Sequence, residues 1–274
     1  MTTRIITQEL TQMGVSKIGS MFAPLAEENR MCEKHGEYRA MLVCLPRTKK
    51  KMWTGCLACM KEKTELEDAK IREQAMRDRA RQRAEAALGR AAIPERFANR
   101  KLDNYKVENE GQRKALASAT RYIENWKDNL DCGTNLIFAG KPGTGKTHLA
   151  IGIAHHVIEN GGSALYSRFS EVVMKVKESF GEKGKGERQV IDALKDPDLL
   201  IIDEAGKQLG TDFEKNIFFE VINARYEDCK PTILITNLQI TELSTYLDPA
   251  ALDRLREGGG RVVSFDWDSE RSRV

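Results

Sequence analysis

The chain has 274 residues, 41% hydrophobic and 31% charged, long enough for an ordinary domain with a sizeable core plus a smaller one. No apolar run approaches the length of a membrane span, and Met1-Thr2-Thr3-Arg4 leads into no signal-like apolar segment, so a membrane protein is excluded and a soluble cytoplasmic one is expected. The 44 basic residues nearly balance the 41 acidic ones, a formal net charge of +3, so a nucleic-acid surface can arise only from local clustering.

The first feature along the chain is a cluster of cysteines. Six cysteines in a cytosolic chain argue against a disulfide framework, and four of them, Cys32, Cys44, Cys56 and Cys59, lie close together, with Cys132 and Cys229 elsewhere. Cys32-Glu33-Lys34-His35 is a C-x2-H pair and Cys56-Leu57-Ala58-Cys59 a C-x2-C pair, the spacing with which two short turns wrap a tetrahedral zinc ion; Gly36 and Gly55 permit such turns. Cys32, His35, Cys56 and Cys59 are therefore the predicted Zn²⁺ ligands. Cys44 is left out because it closes the apolar run Ala40-Met41-Leu42-Val43, where a buried free thiol is ordinary. The alternative is a set of reduced cysteines in a small core, but so little apolar content needs a metal or a partner to hold together.

From Lys61 to Arg90 the chain is charged and alanine-rich, without proline and without glycine before Gly89, which predicts a helix. Its apolar positions are mostly small, so it is either a solvated strut or a partner-binding helix. Gly89 and Pro94 are stop signals. These shifts divide the chain into a zinc-binding, partner-interaction domain at 1–65, a helical connector at 66–92 and a large domain at 93–274.

Beyond Phe97, short apolar runs at Leu136 to Ala139, Ala164 to Ser167, Leu199 to Ile202, Thr232 to Thr236 and Val262 to Phe265 alternate with helix-like stretches. That rhythm predicts an α/β fold with a largely parallel sheet flanked by helices. Between the first run and the next helix stands Gly140-Lys141-Pro142-Gly143-Thr144-Gly145-Lys146-Thr147, a complete G-x-x-x-x-G-K-[ST] loop in the required strand-loop-helix context. Gly140, Gly143, Thr144 and Gly145 let backbone N–H groups converge on phosphate oxygens, Lys146 reaches the β- and γ-phosphates, and the Thr147 hydroxyl holds Mg²⁺. His148 comes next and joins the cofactor-binding set by position, although a packed or solvent-facing histidine is the plainer reading.

Leu199-Leu200-Ile201-Ile202 delivers Asp203 toward the same Mg²⁺, and Glu204 beside it is placed to orient and deprotonate a water for attack on the γ-phosphate of ATP. The pair otherwise reads as an acidic strand end facing solvent. The basic, glycine-punctuated stretch Lys175, Lys177, Lys183, Lys185 and Arg188 reads by itself as a solvated loop, and Trp53 with Lys49-Lys50-Lys51 offers a contact for a protein partner or for DNA.

Together, the phosphate loop, Asp203-Glu204 and the strand ending in Asn237 resemble the AAA+ ATPases, which implies that Asn237 helps place the attacking water. More narrowly, residues 93–274, about two-thirds of the chain, resemble the bacterial replicative helicase loaders of the DnaC type. The resemblance is carried by Ile93-Pro94-Glu95-Arg96-Phe97, Asn104-Tyr105, GTGKTHLA, Arg225-Tyr226 before Lys230-Pro231-Thr232, and FDWDSERSRV at 265–274. It implies an AAA+ core without a C-terminal lid, working in self-association, and an amino-terminal region that grips the hexameric replicative helicase. Arg254 of Asp253-Arg254-Leu255-Arg256 then matches the finger that completes a neighbour's site, with Arg256 as its rival. The resemblance also implies single-stranded DNA as a partner, with the Lys175 to Arg188 stretch lining a channel. A transposition helper of the IstB type shares the nucleotide motifs, and a zinc-dependent replication adaptor with a regulatory ATP switch is the alternative from another class.

Overall fold

A computed structural model describes residues 24–44, 50–88, 92–179, 185–206 and 211–269, in two compact units that divide between Glu73 and Gln74. In the first unit three strands form an antiparallel meander, β1 (Ala26–Cys32), β2 (Gly36–Cys44) and β3 (Lys51–Trp53), with Cys32 opposite Gly36 and Leu42 opposite Trp53. Gly36 has φ 77°, so a residue without a Cβ closes the hairpin at the position where the chain must turn back. Among the described residues of this unit, the buried apolar side chains are Ala40, Val43 and Cys56.

Helix α1 (Leu57–Leu88) is the stretch predicted from Lys61 to Arg90, but it begins at Leu57, so Cys59 lies in its first turn rather than in a loop. Among its described side chains no apolar face is buried: Leu66, Ile71 and Met76 are all exposed, as expected where charged residues surround the axis. Gly89, the expected stop signal, lies outside the described residues.

The second unit is a doubly covered sheet. Its elements run α2 (Glu110–Glu124), α3 (Trp126–Asp131), β4 (Leu136–Gly140), α4 (Lys146–Glu159), β5 (Ala164–Arg168), α5 (Phe169–Ser179), α6 (Lys185–Lys195), β6 (Leu199–Asp203), α7 (Asp212–Glu227), β7 (Thr232–Thr236), α8 (Leu243–Tyr246), α9 (Pro249–Arg256) and β8 (Arg261–Phe265). All five strands are parallel, in the order β5-β6-β7-β4-β8. The strands predicted from apolar runs are each present, extended by a residue or not at all, as is the parallel α/β architecture.

Side chains alternate between two cores because strand residues point alternately to opposite faces. Ile137, Leu165, Leu200, Ile202 and Leu234 pack with Phe169, Phe218 and Leu255 on one face. Leu136, Phe138, Leu199, Ile201, Ile233 and Ile235 pack with Leu149, Ile153 and Tyr122 on the other. Each such burial contributes about 1.5–3 kcal/mol, which fixes strand register and hence the residues that stand at the strand ends.

Arg225 is fully buried in this scaffold, donating to the carbonyls of Leu194, Lys195, Pro197, Asp198 and Pro231 and to the Thr232 hydroxyl. It ties the end of α6 to the starts of β6 and β7. Burial holds its guanidinium below the usual arginine range, and the surrounding carbonyls, which can only accept, keep it a donor.

Candidate nucleotide site and metal centre

The strand order brings three loops together. β7 lies between β4 and β6, so the loop after β4, Asn237 after β7 and Asp203-Glu204 at the end of β6 emerge side by side at the carboxyl edge of the sheet, where open α/β sheets bind ligands.

The loop after β4 turns through Gly140, Gly143 and Gly145, with φ of 133°, 78° and 94°, conformations that a side chain would strain. Gly145 stands at the amino-terminal end of α4, whose first turn holds Lys146 and Thr147. Lys146 is buried and donates to the carbonyls of Gly140 (2.7 Å) and Lys141 (2.6 Å), so its ammonium lies inside the curve of the loop. Thr144 closes the curve by donating from its hydroxyl to the Lys141 carbonyl at 2.8 Å. A tight glycine-rich turn, a helix amino terminus and one fixed cation together form a cradle that suits an anion.

Asp203 meets the cradle directly. Its Oδ2 accepts from the Thr147 hydroxyl at 2.9 Å and from the Tyr166 hydroxyl at 3.0 Å, and its Oδ1 accepts from the Glu204 N–H at 2.7 Å. Burial and the neighbouring carboxylate push the Tyr166 phenol up, out of the range in which it ionises, so it remains a donor that aims Asp203 at Thr147. Glu204 has φ 61°, left-handed for a residue with a full side chain, the kind of strain that is kept where geometry matters. Its carboxylate stays half-exposed, with the Arg168 guanidinium 3.8 Å away.

The four predicted zinc ligands also come together. Cys32, His35, Cys56 and Cys59 place one ligand atom each within 4.8 Å of all the others. Cys32 Sγ is 3.5 Å from Cys59 Sγ and 3.7 Å from His35 Nδ1, which is 3.7 Å from Cys56 Sγ and 3.2 Å from Cys59 Sγ. Zinc–sulfur bonds of ~2.3 Å give a tetrahedron with edges of ~3.8 Å, so the spacing and the donor set fit a zinc ion. His35 presents Nδ1 to the sulfurs while Nε2 lies 3.0 Å from Glu62 Oε1, the carboxylate support that fixes the tautomer of a ligating histidine. Backbone hydrogen bonds at Lys34 and His35 hold the Cys32 thiol down at about 6, whereas Cys59, hydrogen-bonded to Cys32, is pushed up to about 11. Cys44, opposite Lys51 in the meander, is not among the four.

Comparison with known proteins decides the family. The profile described as IstB-like ATP binding protein matches residues 58–273. The chain belongs to the IstB-like ATP-binding family. It is similar to the replicative helicase loader DnaC of Escherichia coli strain K12, 35% identical over 209 residues that make up 76% of this chain and 84% of that one. Its fold is that of the crystal structure of the DnaC helicase loader, with a TM-score of 0.56 at 22% identity over 63% of this chain and 99% of the other. It is equally that of the DnaI crystal structure, with a TM-score of 0.54 at 18% identity over 65% and 94%.

Within this IstB-like protein the remaining predicted residues occupy varied settings. Asn237 is exposed just past the end of β7. Arg254, on α9, lies with its guanidinium 4.7 Å above the Phe219 ring and 5.7 Å from that of Tyr226; Nη1 donates to the Ala250 carbonyl at 3.3 Å, and Nε is buried with no hydrogen-bond partner among the described residues. Arg256 is exposed. His148 does not turn into the phosphate cradle: its Nε2 lies 2.9 Å from the Lys101 carbonyl and 2.8 Å from Asn104 Oδ1, and its ring meets Tyr105 edge-on.

Of the basic stretch, Lys175 pairs with Glu178, Lys177 lies over the Phe213 ring and Arg188 is exposed on α6; Lys183 and the side chain of Lys185 lie outside the described residues. Trp53 is covered by Arg30, whose guanidinium is 4.4 Å from its ring, and Lys50 and Lys51 are exposed while Lys49 lies outside the described residues. No helix among the described residues is long and apolar enough to cross a membrane.

Two residues that the motifs pass over also touch the site. The Tyr105 hydroxyl and the Trp267 indole N–H both donate to the Thr144 carbonyl, at 3.3 and 3.2 Å. The only sequence signal for either was membership of the short stretches Asn104-Tyr105 and FDWDSERSRV.

Proposed function

We propose that this chain is a replicative helicase loader: an ATP-driven protein that binds the hexameric helicase through its amino-terminal region and delivers it onto single-stranded DNA in the cytoplasm. The observation that carries this reading is the span of similarity to DnaC, 84% of that protein's length at 35% identity. A phosphate loop alone fits many hydrolases; the shared length around it favours a loader.

The site supports a hydrolytic cycle. Lys146 and the loop amides would hold the β- and γ-phosphates of ATP, and the Thr147 hydroxyl and Asp203 carboxylate, whose oxygens lie 2.9 Å apart, would hold Mg²⁺, whose charge would offset that of the phosphates. Glu204 takes the proton from the attacking water, oriented with help from Asn237, and Arg254 of a neighbouring copy stabilises the developing charge. In the amino-terminal domain Cys32, His35, Cys56 and Cys59 hold Zn²⁺, which keeps a unit with few buried apolar side chains folded for its partner. The domains act as 1–65 for partner binding, 66–92 as connector and 93–274 as ATPase, and the basic stretch from Lys175 to Arg188 contacts single-stranded DNA.

A transposition helper is the second reading, favoured by the family description itself, IstB-like ATP binding protein. A pull-down of the host replicative helicase with the full chain, varying ATP, ADP and single-stranded DNA, separates the two. Capture of the helicase that responds to nucleotide supports the loader. No capture under any condition, with nucleotide binding intact, overturns it.

A further inference from the structure

The phosphate loop is gripped from outside by two segments remote from each other in the chain. Tyr105, before α2, and Trp267, after β8, both donate to the same backbone oxygen, the Thr144 carbonyl. The fit is close on both sides: a Cβ on Gly145 would stand 2.7 Å from the Tyr105 ring, and one on Gly143 would collide with the Ser269 hydroxyl. Lys141 adds two ties to the same strap, its N–H to the Phe265 carbonyl at 2.8 Å and its ammonium 3.4 Å from Asp268. Trp267 is itself seated, packed on the buried Phe265 at 4.9 Å between ring centres and so close to Gly111 at the start of α2 that a Cβ there would lie 2.6 Å from its ring. Tyr105 is seated against His148 at 5.3 Å.

The peptide bond makes this grip consequential. The Thr144 carbonyl and the Gly145 N–H belong to one planar trans peptide and point in opposite directions. A donor pair that holds the carbonyl outward therefore holds the Gly145 N–H inward, toward the phosphates. Gly145 has φ 94°, with no Cβ to restrict rotation about its own bonds, so this peptide has little intrinsic orientation without the external ties.

We propose that Tyr105 and Trp267 are positioning residues for nucleotide, acting through the Thr144–Gly145 peptide to preset the phosphate-binding amides. The proposal rests on the loop being the nucleotide site. It also gives the FDWDS segment a role, because the chain returns from the edge strand to lock the loop.

The test uses the full chain with Trp267→Phe, Tyr105→Phe, both together, and Trp126→Phe as a control that loses an indole elsewhere on the fold. Titration calorimetry with MgADP measures affinity, steady-state turnover of MgATP separates KM from kcat, and thermal melting without nucleotide reports stability. Each single change weakens MgADP binding roughly 2- to 10-fold, the size of one neutral hydrogen bond, and the double change weakens it more. KM rises in step while kcat at saturation stays within about twofold, because Asp203 and Glu204 are untouched; Trp126→Phe changes neither. In a Trp53→Phe, Trp126→Phe background Trp267 is the sole tryptophan, and its emission shifts on adding MgADP, a readout independent of whether the double variant folds. Wild-type affinity in the folded single and double variants, a fall in kcat without a rise in KM, or unchanged Trp267 emission overturns the proposal. If the wild type itself binds no nucleotide, the reading of the loop falls with it; if the wild type binds and the variants bind equally well, only the positioning role falls.

Discussion

Arg168 and Glu204 face each other across the ends of two neighbouring strands, guanidinium Nε to carboxylate Oε2 at 3.8 Å, with Arg168 in register with Asp203. Both side chains are partly exposed, so the pair adds little stability. Its effect is directional: it draws the Glu204 carboxylate toward β5. Replacing Arg168 by leucine releases Glu204, and turnover of the free protein is expected to rise, by up to roughly fivefold if the pair is worth the ~0.2–1 kcal/mol of an exposed ion pair. Steady-state phosphate release measures this, and an unchanged kcat removes the pair from control of the reaction.

Three substitutions separate binding from chemistry. Lys146→Ala removes the cation buried inside the loop and abolishes nucleotide binding. Asp203→Asn leaves the Thr147 hydroxyl without a carboxylate and raises the Mg²⁺ concentration needed for half-maximal turnover several-fold, by roughly the factor of 5–150 that 1–3 kcal/mol represents. Glu204→Gln keeps binding and stops turnover; full ATPase activity in that variant removes Glu204 from the mechanism.

How much of this site was legible before the fold is clear from its members. Leu199-Leu200-Ile201-Ile202 fits a central strand, because four consecutive apolar residues suit cover on both faces, and the residues just after such a strand are carried to the ligand edge of the sheet. Asp203 and Glu204 were therefore readable by position. The phosphate loop carried its own glycine spacing. Tyr105 and Trp267 were not readable as a pair, since they meet only because β8 adds beside β4 and returns its end to the start of α2, a consequence of strand order that no local pattern encodes. The meander before α1 was equally hidden: β1 reads Ala-Glu-Glu-Asn-Arg-Met-Cys and is mostly exposed, so no apolar alternation marks it as a strand.

The metal cluster makes a chemical prediction. Protein purified without chelator carries about one zinc per chain by elemental analysis, and less than a small fraction of an equivalent removes zinc from the site. Cys56→Ser loses the metal. Glu62→Ala keeps all four ligands but frees His35 Nε2, and is expected to weaken zinc affinity about 10- to 100-fold in a competition titration. Because few apolar side chains are buried among the described residues of this unit, metal removal should melt it while the α/β unit remains folded, seen as loss of one calorimetric transition.

His148 gives a pH dependence with a definite sign. Its Nε2 must carry the proton to donate to the Lys101 carbonyl, and Nδ1 lies 3.4 Å from an Arg100 nitrogen, so a second proton on the ring finds no acceptor. Burial, with the Arg100 charge adding to it, lowers the His148 pKa below its ordinary 6.5. Above that value both folded and unfolded chains hold the ring neutral and nothing is lost. As pH falls below it the unfolded chain takes a proton that the folded one resists, so stability drops until the folded pKa is passed. His148→Asn should flatten this acid limb of the urea midpoint between pH 8 and pH 5 relative to the wild type; an identical limb in the variant assigns the pH dependence elsewhere.

Arg254 carries the sharpest prediction about assembly. Its guanidinium rests over Phe219 and Tyr226, its Nε is buried with no hydrogen-bond partner among the described residues, and Nη1 donates to the Ala250 carbonyl at 3.3 Å. Stacking on aromatic faces limits the orientations of a guanidinium, and it is this held cation that the proposed function assigns to a neighbouring copy's site. Arg254→Ala should therefore retain nucleotide binding and lose assembled turnover by about a hundredfold or more, whereas Arg256→Ala, altering an exposed side chain, loses far less. The decisive experiment mixes two inactive proteins. Glu204→Gln subunits supply an intact Arg254, Arg254→Ala subunits supply an intact Glu204, and a mixed assembly contains sites with both. Recovered turnover in the mixture supports a finger acting between subunits. If the mixture stays as inactive as its components, or if Arg256→Ala rather than Arg254→Ala shows this complementation, Arg254 is not the residue that completes the site.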